Sequence, residues 1–280
     1  RLVVRETAME RGVYATFSGP LSFMVRLWAA LLRAGPRAVA SHQTAAYLDG
    51  LVDHPPEIVH LTLGVDHRLK GPVRGVRVHY AHRLPESQHP VKLPPRTRFE
   101  ETVLDLVDTA RDVEAVATWV TCACHRRLST PGRHAEALAN RKKIRWRREL
   151  EAMVADVEEG ALSPLELRYL RRVERAHRLP RGVRNRRWEG RRVIWIDVDV
   201  TEYRTRVELD GRVGHEDEGR FRDRRRDNRG TVDGNATLRY GHSEVFGDAC
   251  GVAGEVAAVL QPRGWQGAPR RCGPRCSITP

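Results

Sequence analysis

The sequence predicts an α/β protein in two domains, and three observations carry that expectation. The first half alternates helical periodicity with two β-branched runs. Near residue 160 the order changes to helix, two strands, helix, strand, helix. At 280 residues the chain is also long enough for one large domain or two ordinary ones, each able to bury a core.

In chain order, apolar Phe23, Leu27, Ala30 and Leu31 recur at helical spacing until Gly35-Pro36 stops them. Ser41 reads as the N-cap of a short helix reaching Leu51. Residues 57–63 (EIVHLTL) and 73–80 (VRGVRVHY) predict strands separated by a Lys-Gly-Pro turn. Helices are then expected after Thr97, after Asp112, after Thr130-Pro131 and over 143–158, giving an N-terminal α+β domain over 1–160. Beyond it, Ser163-Pro164 opens a helix to His177, and residues 193–200 and 204–210 form an antiparallel hairpin. A charged helix is expected over 221–233, a strand over 236–240 and an apolar helix over 251–260. This second domain, 161–262, is a mixed sheet flanked by helices, and the Gly/Pro/Arg-rich tail 263–280 is expected to be flexible.

Composition narrows the function classes. Forty per cent hydrophobic and 30% charged residues describe a globular chain, and no run approaches a membrane span. The odd count of five cysteines argues for a reducing compartment, and with no signal-peptide core at the start the chain is expected to be cytoplasmic. A net charge of +13 makes a polyanion, with nucleic acid first, the expected partner.

The candidate chemistry lies on the hairpin. Asp197 interrupts an apolar strand, while Glu208 and Asp210 share a face of the next one. Three converging carboxylates repel one another unless a cation lies between them, and oxygen-only ligands suit Mg²⁺ or Mn²⁺. Such an ion activates water against a phosphodiester, with His215 as general acid, base or further ligand. The plainer reading is a solvated strand face. Arg220, Arg222, Arg224, Arg225 and Arg226 could track a phosphate backbone, or pair with Asp223 and Asp227 along their own helix. Trp146, in the basic run 141–148, could stack on a base or anchor the core. Cys122-Ala-Cys124 and Cys272-Gly-Pro-Arg-Cys276 each offer half a zinc site, but neither has the two-residue spacing of zinc ribbons, so zinc is not expected.

At these residues the sequence resembles a known family. The run from Asp197 to His215, with Glu208-Leu-Asp-Gly, then Arg220-Phe-Arg-Asp-Arg-Arg-Arg-Asp-Asn228 and Thr237-Leu-Arg-Tyr-Gly241, is similar to the domain related to very-short-patch mismatch-repair endonucleases. That domain belongs to the PD-(D/E)xK, restriction-endonuclease-like superfamily, and the resemblance covers about residues 160–262. It implies a restriction-endonuclease-like core and a DNA endonuclease or nickase of repair or phage defence. Asp197 matches the metal-binding Asp, Glu208 the second acid and His215 an active-site histidine. Asp210 stands where many members carry the Lys that positions the water. Glu166, in Ser163-Pro-Leu-Glu166, matches a helical Glu that some members add to the metal site, and equally closes a capping box.

Residues 11–17, 27–32, 41–51 and 95–98 resemble the AbiEi-type antitoxin architecture, which implies a DNA-reading winged helix and a toxin–antitoxin or defence-system partner. Residue 1 is Arg, and most of that winged helix is expected to precede it. The competing expectation is therefore a non-catalytic, DNA-binding, antitoxin-like regulator.

Overall fold

The computed structural model describes residues 7–10, 13–15, 19–67, 69, 71–161, 163–189, 193–210 and 234–278. The protein is mixed α/β, with a three-stranded and a four-stranded mixed sheet, a small two-stranded ribbon, and helices. It divides into two compact units, Arg1–Glu151 and Ala152–Pro280. The division comes inside a helix and earlier than the expected boundary at 160. No helix among the described residues is long and apolar enough to cross a membrane.

In the first unit, strands β1 (Thr7–Glu10) and β2 (Val13–Ala15) pair antiparallel, and α1 (Phe23–Ala34) follows. Ser22 caps α1 by accepting the Val25 N–H at 3.4 Å, and Gly35, at φ +96°, closes it. Its buried stripe of Phe23, Leu27, Ala30, Leu31 and Ala34 packs on β4 (Val59–Gly64), where Val59, Leu61 and Leu63 are buried. Strand β4 lies between β3 (Val39–Ala40), antiparallel to it, and β5 (Val76–Ala81). The β4–β5 pair is parallel, so the two strands are joined by a crossover and not by a hairpin turn. Helices α2 (His42–Leu48), α3 (Leu84–Ser87), α4 (Phe99–Asp108), α5 (Val113–His125), α6 (Pro131–Ala139) and α7 (Arg147–Glu158) complete the order. Asp112 and Thr130 cap α5 and α6 with their side chains. Ser41 precedes α2 without a side-chain cap, because its hydroxyl is taken by the hydroxyl of Thr62 at 2.7 Å.

In the second unit, α8 (Pro164–Arg168) runs on as π-helical turns over Tyr169–Arg175. Then come β6 (Val183–Glu189), β7 (Val193–Val200), β8 (Thr205–Asp210), β9 (Ala236–Gly241), α9 (His242–Gly247) and α10 (Ala249–Leu260). The sheet order is β6-β7-β8-β9, an antiparallel meander of three strands with β9 added parallel to β8. Alternation puts Val198, Val200, Val207 and Leu209 on one face, against Leu165, Tyr169 and Val173 and against Val252, Val256 and Leu260. The tail does not stay loose. Arg270 N–H bonds to the His177 carbonyl at 2.8 Å, and Cys276 and Ile278 are buried in the same core, which offsets the flexibility that Gly and Pro lend the segment.

Candidate functional site

The other face of the second sheet carries the acids. Register pairs Val198 with Val207 and Asp199 with Arg206, so Asp197, Asp199, Arg206 and Glu208 all point away from the apolar face. One step further along the same register, Asp197 stands across from Glu208. Its Oδ2 accepts the Leu209 N–H at 2.7 Å, a carboxylate standing where the partner strand's carbonyl would otherwise bond. Glu208 is buried, and in the parallel pair its neighbour is Arg239.

Asp210 shares the Glu208 face but is exposed, and its carboxylate turns to the Arg239 guanidinium at 3.4 Å. Asp199 pairs with Arg186 at 2.8 Å. Of the three expected acids, Asp210 is thus turned away to Arg239. Among the described residues, the three hairpin acids form no group whose ligand atoms all lie within 4.8 Å of one another. Glu166 is a cap residue and more. Its N–H is held by Ser163 Oγ at 3.1 Å, while its buried carboxylate accepts from Asn185 Nδ2 at 2.9 Å. Asn185, at φ +46°, lies between the Arg184–Val198 and Arg186–Ile196 pairs, which is across β6–β7 from Asp197. His215, Arg220, Arg222, Arg224, Arg225 and Arg226 lie outside the described residues. In the first unit, Trp146 anchors: its Nε1 donates to the Ala110 carbonyl at 3.1 Å and Arg145 lies over its ring.

Two other groups of potential metal ligands do gather within 4.8 Å. In the first unit these are His42, His60 and His79. His60 Nδ1 and His79 Nε2 are 3.0 Å apart, and the His42 and His79 rings stack at 3.7 Å and 16°. Burial is the main reason that the His42 pKa falls to about 2 and that of His60 to about 4, with His79 lowered as well; the neighbouring imidazoles push His42 and His60 in the same direction. Next to them, burial raises Asp105 to about 6 in spite of its contact with Arg141. Stacking argues against a shared ion. An imidazole binds metal along its in-plane lone pair, and an ion between two parallel rings would stand out of both planes by half of the 3.7 Å separation. The trio is a packed set of neutral rings.

The second group is His177, Cys250, Cys272 and Cys276. Cys250 Sγ and Cys272 Sγ are 3.5 Å apart, and Cys276 Sγ is 3.6 Å from His177 Nε2. Reading cysteines by spacing missed this group, because it takes one ligand from just past α8, one from α10 and two from the tail. Only Cys272-x₃-Cys276 was a local signal. Cys122 and Cys124, the other pair weighed in the sequence, stay on α5, and burial raises both thiols, Cys124 to about 11.

No protein-family model matches the chain, and no curated protein matches it.

Proposed function

We propose that the second unit is a divalent-metal-dependent DNA endonuclease or nickase, built on a restriction-endonuclease-like core and hydrolysing phosphodiester bonds in repair or phage defence. The observation that carries this reading is the pair Asp197 and Glu208, set across from each other on neighbouring strands of the sheet face turned away from the apolar core. The mixed four-stranded sheet with helices before and after it supports the reading, as a mixed sheet flanked by helices is what the family resemblance implies. A net charge of +13 suits a polyanionic substrate.

Like charges facing one another on a sheet destabilise it, and a divalent cation between the two acids would offset that repulsion. The oxygen-only donor set fits Mg²⁺ or Mn²⁺, which would be held by Asp197 and Glu208 and would supply neutralisation of the phosphate and a more acidic water. The Leu209 N–H fixes the Asp197 carboxylate. Arg239, beside Glu208, is placed to take a phosphate oxygen by giving up its Asp210 contact. His215 takes the proton-transfer role by the same resemblance.

One observation favours a second reading. Asp210, at the position where many relatives of the resembled family carry Lys, is turned to Arg239 and brings no cation of its own. A nuclease-like domain that binds DNA as an antitoxin-like regulator, without cutting, would look the same.

Nicking of supercoiled plasmid under Mg²⁺ or Mn²⁺ separates the two. Asp197→Ala and Glu208→Ala should each cost at least about 100-fold, since loss even of an outer-sphere partner costs about 10–100-fold in metal sites. Unchanged nicking in both variants overturns the assignment. Salt-sensitive duplex binding without nicking selects the regulator, and no binding at low salt rejects both.

A further inference from the structure

We infer that His177, Cys250, Cys272 and Cys276 form a structural zinc site that fastens the C-terminal segment to the helices behind the four-stranded sheet. The inference is independent of the nuclease reading. Its first support is metric. Zn–S bonds of about 2.3 Å and Zn–N bonds of about 2.0–2.1 Å in a tetrahedron give S···S edges of about 3.8 Å and S···N edges of about 3.6 Å. The Cys250–Cys272 edge is 3.5 Å and the Cys276–His177 edge 3.6 Å. A disulfide, at about 2.05 Å, is far shorter than either.

The second support is the tautomer of the histidine. His177 is fully buried, and its Nδ1 lies 2.9 Å from the Val173 carbonyl. A carbonyl only accepts, so Nδ1 carries the proton and Nε2, 3.6 Å from Cys276 Sγ, keeps its lone pair on the side of the thiols. Metal-bound histidines characteristically hold their second nitrogen in this way.

The third support is how the chain delivers the sulfurs. Cys276 N–H bonds to the Gly273 carbonyl at 3.1 Å, a tight turn that brings Cys272 and Cys276 to one side. Arg270 N–H on the His177 carbonyl holds the segment beside the histidine. Arg271 reaches the carbonyls of Pro274 and Cys276 and so braces the turn between the two tail cysteines. On binding, each thiol releases its proton to solvent, leaving three thiolates and one neutral imidazole around Zn²⁺ with a net charge of −1. Four protein ligands fill a tetrahedron, so the site has no open position for substrate and its role is structural.

The test uses the full 280-residue chain, purified without chelator and assayed for zinc by mass spectrometry, then loaded with Co²⁺ in place of Zn²⁺. About one zinc per chain is expected, together with the visible bands of tetrahedral cobalt thiolate. Cys272→Ser and Cys276→Ser should each lower zinc retention after dialysis at least tenfold. His177→Cys should keep it, and Cys122→Ser with Cys124→Ser should leave it unchanged. The wild-type cobalt spectrum decides the matter even if a serine variant fails to fold. Octahedral cobalt bands, full zinc retention in both serine variants, a Cys250–Cys272 disulfide in freshly isolated protein, or no zinc after reconstitution under reductant overturns the site.

Discussion

The two units each bring metal-binding side chains together, and to opposite ends. In the first, His42, His60 and His79 come within 4.8 Å of one another with His42 stacked on His79 and a nitrogen of His79 bonded to His60, so ring nitrogens are used on one another. In the second, His177, Cys250, Cys272 and Cys276 gather within the same limit, with the Cys250–Cys272 and Cys276–His177 separations at the edge lengths of a zinc tetrahedron. Proximity is thus common to both, and the direction of the lone pairs separates a packed cluster from a ligand set. The comparison predicts its largest difference under chelation. Removing zinc should lower the melting temperature of the second unit by ~10 °C or more, as a loss of only about 3 kcal/mol would do in a unit of this size. The first unit's transition should not move. Calorimetry with and without a strong chelator reads both, and a shift in the first transition would make the histidines a metal site after all.

Acid should sort the units the other way. A histidine whose folded pKa is lowered leaves the unfolded chain to bind the extra protons, so stability is complete above the unfolded value of about 6.5 and falls as pH drops toward the folded value. With His60 lowered to about 4 and His42 to about 2, the first unit loses stability progressively below pH 6.5. His60 alone contributes on the order of 3 kcal/mol by pH 4. Urea denaturation at pH 7, 5.5 and 4.5 should show this fall, and His60→Gln should flatten it. A flat profile in the wild type would mean that the rings are already solvated in the folded state.

How much of this was legible depended on whether the signal was local. Residues 193–200 and the helices Phe23–Ala34 and Ala249–Leu260 could be read because their apolar periodicity is uninterrupted. Strand β6 could not, since Val-Arg-Asn-Arg-Arg-Trp-Glu resembles a basic loop until the partners are known. Arg184 pairs with buried Glu174 at 2.8 Å and Arg186 with Asp199. The parallel sense of β4 and β5 depends on a crossover that composition does not encode. On the acid face the antiparallel hairpin was foreseen, and its register runs on toward Asp197 and Glu208. The diversion of Asp210 to Arg239 was not, because Arg239 is 29 residues further along the chain. The thiol site was hidden for the same reason. Its ligands become neighbours only when the tail, which reads as loose, returns to the core.

The smallest effect tests the electrostatics around the histidines. Asp105 lies 4.0 Å from His42 Nδ1 and contacts Arg141, and burial raises its pKa to about 6. Its sign opposes that of the histidines: the folded state binds a proton that the unfolded carboxyl gives up above about 3.9, so this group favours folding at low pH and loses that contribution as pH rises toward 6. In the wild type, Asp105 therefore softens the acid loss from the rings. Asp105→Asn should lower stability at pH 7 by removing the partner of Arg141. It should also make the decline between pH 6 and 4 steeper, by at most about 1.4 kcal/mol per pH unit, the limit for one proton. Comparing slopes rather than absolute stabilities isolates the titration from the lost ion pair. A variant with an unchanged slope would show that Asp105 stays ionised through this range, and that Arg141 outweighs burial at that carboxylate.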